Sequence, residues 1–124
     1  MPEFRNIIPV LRVLDLQKAI DFYCSTLGFC EVWRAANVGE GENAMVRADK
    51  ISLLLSTGSH LGHQPSFTGT LYFDILGVRD LFERIKDAVE VVWPLETMNY
   101  GQQEFGIRDL DGYTLAFAES TENQ

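Results

Sequence analysis

The alternation of apolar and polar positions divides this chain into two stretches with the same order of elements. In the first, a segment rich in Ile, Val and Leu at residues 6–13 predicts a strand. Apolar residues at helical spacing follow it as far as Gly28. Three strand-like segments complete the stretch, at residues 29–36, 44–48 and 51–56. The pattern therefore predicts the order β-α-β-β-β.

Turn and cap residues support these boundaries. Pro9 cannot donate a ladder hydrogen bond, so the first strand should be an edge strand or be bulged there. Asp15 is placed so that its carboxylate can cap the first helix, and the helix is predicted to end at Gly28. Residues 38–43 have turn composition, and Asp49-Lys50 predicts a tight reversal.

The second stretch repeats the order of the first. Residues 70–76 predict a strand, and Val78, Leu81, Phe82, Ile85 and Val89 mark an amphipathic helix. Strand segments follow at residues 90–93, 102–108 and 113–118, the last after a hairpin turn at Asp111-Gly112. We therefore expect an α+β fold of two βαβββ modules within one domain, 1–124. The modules cover about 6–57 and 70–119, with a linker at 58–69. Because units of this size are marginal alone, we expect them to share a core and form a cup-shaped sheet.

Composition and charge narrow the function classes. Apolar residues make up 46% of the 124 positions, and no run approaches the roughly 20 apolar residues of a membrane span. The formal charge of -8 disfavours nucleic acid as a partner, because an acidic surface repels phosphate. Cys24 and Cys30 form neither a disulfide framework nor a metal motif. With no secretory-type segment at the N-terminus, we expect a cytoplasmic protein without membrane or nucleic-acid partners.

Two segments resemble the opening and closing signatures of the glyoxalase/bleomycin resistance/dioxygenase superfamily, whose members are also called vicinal oxygen chelate proteins. The opening segment is LRVLDLQKAIDFYCSTLGF at residues 11–29, and the closing segment is EFGIRDLDGYTLAF at residues 104–117. The resemblance covers nearly the whole chain and implies paired βαβββ modules, in agreement with the repeat. It also implies a homodimer in which the cup is completed across two chains.

Enzymes of this superfamily usually hold a divalent metal through one ligand on each of four strands. Aligned position by position, those ligand positions are occupied here by Ile8, Leu54, Thr70 and Ala116. None is a usual ligand, and shifting the alignment by one residue does not supply one. A cation needs several oxygen or nitrogen donors, so the resemblance here implies a protein without metal or other cofactor. The loop pair His60 and His63 is a weak alternative metal site, since no further Cys or His clusters with it.

The remaining branch of the superfamily resembles bleomycin resistance proteins, metal-free homodimers that sequester a drug. Tyr100 occupies the position of a Trp that typically precedes the closing signature in that branch, and it keeps a flat ring for stacking. If the strands are unbroken, Arg12, Tyr72 and Asp74 face the cup, where Tyr72 can stack and Asp74 can pair with a cation. Tyr72 plugging the cup and Asp74 capping a turn are equally open interpretations.

Further candidate ligand-binding residues are Trp33, Phe67 and Glu104. Trp33 and Trp93 suit either a pocket wall or core and interface packing, whereas Phe67 is an aromatic residue in the linker. Glu104 is the carboxylate of a cup strand that could act as a base, although its facing is undetermined by the sequence.

We hypothesise a metal-free protein that sequesters an aromatic antibiotic or metabolite, for which a cationic charge is one option. This hypothesis assigns no catalytic residue. The alternative is a metal-dependent lyase, isomerase or dioxygenase with a non-standard site, which rests on analogy with the superfamily alone.

Overall fold

The computed structural model describes residues 1–37 and 41–123, with the backbone alone at 37, 60 and 123. The predicted turn at residues 38–43 therefore lies partly outside the described residues, as does the side chain of His60. By its contacts the chain divides into two compact units, Met1–Ser66 and Phe67–Gln124.

The first unit is one mixed sheet of four strands with one helix. A short parallel pair joins β1 to β4, and the other neighbours are antiparallel, so the strand order is β1-β4-β3-β2. The elements run β1 Val10–Arg12, α1 Leu16–Asp21 continued by a π-helical turn Phe22–Thr26, β2 Cys30–Asn37, β3 Gly41–Ala48 and β4 Ile51–Ser56. A single 3-10 turn, Ser59–Leu61, follows β4.

The second unit repeats this plan. Its strand order is β5-β8-β7-β6, again with the first and last strands parallel. The elements run β5 Thr70–Asp74, α2 Val78–Ile85, β6 Glu90–Thr97, β7 Gln102–Arg108 and β8 Thr114–Ser120, followed by a 3-10 turn Thr121–Asn123. The predicted α+β fold of two βαβββ modules is thus confirmed.

Each helix begins with a carboxylate on its first amides. Asp15 accepts from the backbone N–H of Lys18 at 3.0 Å, as its position in the sequence predicts. At the start of α2 the N-cap residue is Gly77, which has no side chain to cap the helix and has a φ of +84°. Glu119, on the distant strand β8, caps α2 by accepting from the N–H groups of Gly77 at 3.1 Å and Val78 at 3.2 Å.

In each unit the helix covers one face of its sheet. Buried residues of β1, β3 and β4 alternate along their strands and form the core with α1; they are Leu11, Ala44, Val46, Leu53 and Leu55. In the second unit Phe82 of α2 lies 5.0 Å from Phe105, which stacks on Phe117 at 5.3 Å. Because side chains alternate across a strand, the remaining residues of these strands lie on a helix-free face.

The elements differ from the predicted boundaries mainly at strand ends. β1 is shorter than residues 6–13 because it pairs with β4 over only three residues, and its place at the sheet edge agrees with Pro9. Helix α2 ends at Ile85, before Val89, because Ala88 N–H turns back to the carbonyl of Ile85. Strand β6 extends beyond residue 93 through irregular pairing with β7. Among the helices of the described residues, none is long and apolar enough to cross a membrane.

Candidate ligand-binding site

The helix-free face of the second unit carries an aromatic side chain on each edge strand and small residues between them. The register sets Tyr72 of β5 opposite Ala116 of β8, Ala116 opposite Gly106 of β7, and Gly106 opposite Trp93 of β6. We call these four residues the aromatic row. Since opposed residues share a face, both rings rise from a floor that has almost no side-chain volume.

Trp93 lies directly against that floor. A Cβ atom built on Gly106 would approach three atoms of the indole six-membered ring to 2.5 Å, closer than real contacts allow. Glycine is therefore required at this position for the indole to lie flat on strand β7. Tyr72, by contrast, is 52% exposed.

Glu104 accepts hydrogen bonds from three aromatic side chains. The hydroxyl of Tyr72 donates to Oε1 at 2.9 Å, and the indole N–H of Trp93 donates to Oε2 at 3.2 Å. The hydroxyl of Tyr100 also donates to Oε1. Although Glu104 is only 4% exposed, its two oxygens thus have partners from three separate segments of the second unit.

A second row, which we call the acidic row, runs beside the first. Asp74 of β5 is opposite Ala118 of β8, Ala118 is opposite Glu104, and Glu104 is opposite Glu96 of β6. Asp74 and Glu96 are exposed, whereas Glu104 is buried. Within the part of the chain that the structure describes, no Lys or Arg forms an ion pair with Glu104. The face therefore combines aromatic rings with a buried carboxylate whose hydrogen-bond partners are neutral.

The carboxylate also affects the tyrosines that bind it. Burial and the hydrogen bond to Glu104 raise the pKa of Tyr72 above its ordinary value of 10.0. For Tyr100, the hydrogen bond to Glu104 is the main cause of a raised pKa, and the charge of Glu96 adds to it. Both hydroxyls therefore stay protonated as donors, because ionisation would place a second negative charge beside the first.

The predicted ligand-binding residues fall into two groups. Tyr72, Asp74, Tyr100 and Glu104 come together at the two rows. Trp93, for which the sequence left packing and pocket wall open, joins them. Trp93 is opposite Gly106, which is two residues from Glu104 on β7. That pairing would have identified Trp93 as a site residue, but only the strand register reveals it.

The other three predicted residues are not members of these two rows. Arg12 donates from Nε to the carbonyl of Gly62 at 2.9 Å and from Nη1 to that of Val13, which ties β1 to the linker. Phe67 is half exposed and packs against Tyr113, with ring centroids 6.4 Å apart.

Trp33 occupies in the first unit the register position that Trp93 has in the second. It is opposite Met45, Met45 is opposite Leu54, and Leu54 is opposite Val10, so this row is apolar throughout. Trp33 and Val10 at its two ends are both about 40% exposed. Neither a carboxylate nor a second aromatic residue is part of this row.

The four metal-ligand positions do not fit a metal. Thr70 and Ala116 share the helix-free face of the second unit, where Thr70 is two residues before Tyr72 of the aromatic row. Ile8, Leu54 and Ala116 offer hydrocarbon, and the hydroxyl of Thr70 is a single weak donor. Across residues 1–37 and 41–123 the structure contains no group of three or more His, Cys, Asp or Glu side chains that could hold a metal ion.

Solved structures with the same fold cover nearly the whole chain. TnmS3, an antibiotic binding protein from Streptomyces sp. CB03234, is 22% identical with a TM-score of 0.82; the match covers 97% of this chain and 98% of that one. The bleomycin-binding protein from Streptomyces verticillus, solved with copper(II)-bleomycin, is 23% identical with a TM-score of 0.66, covering 94% and 97%. A superfamily member from Sphaerobacter thermophilus DSM 20745 is 22% identical with a TM-score of 0.76, covering 91% and 94%.

No curated protein matches the sequence. A family model, however, matches residues 7–117, from just before β1 into β8. It includes both signature segments and both modules of the fold described above. The chain therefore belongs to the Glyoxalase/Bleomycin resistance protein/Dioxygenase superfamily.

Proposed function

We propose that this protein binds and sequesters an aromatic small molecule, an antibiotic or a metabolite, on the helix-free face of its second unit. The observation that carries the proposal is the convergence of Tyr72, Trp93 and Tyr100 on the buried carboxylate of Glu104. These hydrogen bonds fix the polar ends of the side chains while Tyr72 and Tyr100 each remain more than half exposed. A preorganised aromatic surface of this kind binds a flat ligand at low entropic cost.

The proposal includes binding without a metal and without conversion of the ligand. Its support is the hydrocarbon chemistry of the four positions at which superfamily enzymes carry metal ligands. Two proteins of the same fold, TnmS3 and the bleomycin-binding protein, are named for binding an antibiotic and bleomycin. We also propose the homodimer and the completed cup that the family resemblance implies; light scattering would then give about twice the chain mass of 14.0 kDa.

The test is a titration with a panel of aromatic antibiotics, bleomycin-type compounds included, followed by tryptophan fluorescence and calorimetry with and without a chelator. We expect saturable binding that the chelator leaves unchanged. Mass spectrometry should recover the ligand chemically intact. Conversion of the ligand, or binding that requires added metal, would favour the enzyme alternative instead.

A matched pair of variants locates the site. Tyr100 and Leu110 both lie in turns of the second unit and are each 60% exposed. Tyr100→Ala removes a ring and a donor to Glu104, so it should weaken binding about tenfold or more. Leu110→Ala removes a comparable exposed side chain away from both rows and should leave the affinity unchanged. An equal loss of affinity in Tyr100→Ala and Leu110→Ala would show that the ligand does not bind at the two rows.

A further inference from the structure

The two cysteines of the sequence come together where the first helix ends and β2 begins. We infer that Cys24 and Cys30 form an oxidation site, at which a small disulfide of the glutathione type converts the two thiols reversibly into one intramolecular disulfide. The sequence argues against a framework of several bridges, whereas a single reversible bridge needs only two adjacent thiols. Both residues belong to the first unit and to neither row, so this inference goes beyond the proposed function.

The first argument is the closed backbone between the two cysteines. Cys24 lies in the π-helical turn that continues α1, and Cys30 is the first residue of β2. The N–H of Gly28 donates to the carbonyl of Cys24 at 3.2 Å, and the N–H of Phe29 donates to the carbonyl of Tyr23 at 2.9 Å. Gly28 has a φ of +87°, which reverses the chain at this point. The backbone that leaves Cys24 is therefore folded back on the turn one residue before Cys30.

Buried packing holds this segment closed. The residues that precede the two cysteines, Tyr23 and Phe29, are both buried, and their ring centroids are 5.6 Å apart. Residues that are hydrogen-bonded across two antiparallel strands have Cα atoms about 5.5 Å apart. A disulfide joins Cα atoms roughly 4.4–6.8 Å apart, which is the scale on which this segment is closed.

The second argument is the surroundings of the Cys24 sulfur. Burial is the largest cause of the raised pKa of the Cys24 thiol, and the neighbouring Cys30 group is the next. The backbone of Glu31, the residue after Cys30, makes a hydrogen bond to the Cys24 thiol that acts in the opposite direction. A hydrogen bond requires direct contact, so the Cys24 sulfur lies against the first residues of β2.

The two thiols differ in exposure, which assigns them different parts in the reaction. Cys30 is exposed and Cys24 is half-buried. A dissolved disulfide therefore reaches Cys30 first, and Cys30 is the attacking thiol. Cys24 is shielded from solvent but adjacent to Cys30, so it is the thiol that completes the internal bond.

The reaction consists of two exchange steps. The thiolate of Cys30 attacks one sulfur of oxidised glutathione, so a mixed S–S bond forms and one glutathione thiolate leaves. The thiolate of Cys24 then attacks the Cys30 sulfur, which forms the Cys24–Cys30 bond and releases the second glutathione thiolate. The two protein thiols lose two electrons and two protons, and the oxidised glutathione takes them up as two thiols. Because the second step is intramolecular, a high effective concentration of Cys24 favours it.

The test is oxidation of the full chain with oxidised glutathione, followed by alkylation, intact mass measurement and peptide mapping. We expect the wild type to lose about 2 Da and both thiols to resist iodoacetamide, and dithiothreitol should restore them. A mapped peptide pair should contain Cys24 joined to Cys30. The rate of its formation should not depend on the protein concentration. The chain with both cysteines replaced by serine supplies the background, since the sequence contains no other cysteine.

Two single substitutions form a matched pair. Cys24→Ser should stop the reaction after the first step, so that one glutathione remains attached to Cys30. In Cys30→Ser the half-buried Cys24 should take up glutathione roughly tenfold more slowly. Equal rates in the two variants would overturn the assignment of Cys30 as the attacking thiol.

The outcomes separate this inference from the proposed function. A stable glutathione adduct on the wild type without an internal bond would overturn the oxidation site. Disulfides between chains in place of the internal one, increasing with protein concentration, would overturn it as well. Neither result bears on ligand binding, which is measured with aromatic compounds and with variants of the second unit.

Discussion

The indole ring of Trp93 packs on the backbone of Gly106, its neighbour across the β6–β7 pair. This contact holds the indole N–H at 3.2 Å from Oε2 of Glu104. Because a Cβ on Gly106 would lie 2.5 Å from the ring, Gly106→Ala must displace the indole. We expect a loss of about 1–3 kcal/mol in the free energy of unfolding, measured by urea denaturation.

The control for that prediction is the same substitution in a Trp93→Leu background. There the clash is absent, and alanine in a strand interior should be neutral or stabilising by about 0.5 kcal/mol. A cost of equal size in both backgrounds would show that the indole is not what requires glycine at this position.

The two helix caps are expected to differ in their contribution to stability. Asp15 is exposed and accepts one backbone hydrogen bond, so Asp15→Ala should cost about 1 kcal/mol. Glu119 is buried and accepts two, one of them from the buried N–H of Val78, so Glu119→Ala should cost about 2–3 kcal/mol. Chemical denaturation of the two variants side by side checks the order, and a larger loss for Asp15→Ala would contradict it.

The raised pKa values of Tyr72 and Tyr100 predict a distinct ultraviolet titration. A tyrosine with a raised pKa keeps its proton to a higher pH in the folded state than in the unfolded state. The stability from this hydrogen bonding is therefore fully present below pH 10. It is lost as the pH rises through the folded-state pKa. The difference between wild-type and Tyr100→Phe absorbance at 295 nm should therefore appear above pH 10.

In the Glu104→Gln background, the change in 295 nm absorbance caused by Tyr100→Phe should appear closer to pH 10. The reason is that the charge opposing ionisation of Tyr100 is gone. For Tyr72 the shift towards 10 should be partial, since burial is the larger cause of its raised pKa. An unchanged Tyr100 midpoint in Glu104→Gln would mean that the carboxylate does not hold that hydroxyl in solution.

Elemental analysis tests the assignment of the four ligand positions. With Ile8, Leu54, Thr70 and Ala116 at these positions, we expect manganese, iron, nickel and zinc each well below one per chain, before and after treatment with a chelator. The urea midpoint should also be insensitive to the chelator. Metal near one per chain would show that the chain binds it through other residues, and it would favour the enzyme alternative over sequestration.

Part of the candidate site could be chosen from the sequence. Tyr72 and Asp74 were selected by alternation along a predicted strand and Tyr100 by the family resemblance. Glu104 was selected as a carboxylate on a predicted cup strand, with its facing undetermined. The structure brings all four together on the second unit. The roles of these four residues in binding stay predictions, as do those of Arg12, Trp33 and Phe67. So do the single-domain organisation and the linker bounds at residues 58–69.

The rest of the site depends on pairings between distant strands. The hydroxyl of Tyr72 reaches Glu104 across 32 positions of sequence because β8 pairs with both β5 and β7. The cap of α2 by Glu119 likewise spans 42 positions to Gly77 and is invisible to local capping rules. A shift of one residue in either pairing would turn these side chains to the other face.

The sequence by itself determined the repeated βαβββ order, the cap at Asp15 and the turn at Gly112. Local periodicity, turn chemistry and residue type suffice for these features. The tertiary structure alone decided that three aromatic donors share the carboxylate of Glu104 and that Trp93 rests on Gly106. The physical reason is that strand register and the irregular β6–β7 pairing are set by long-range packing, which no short stretch of sequence encodes.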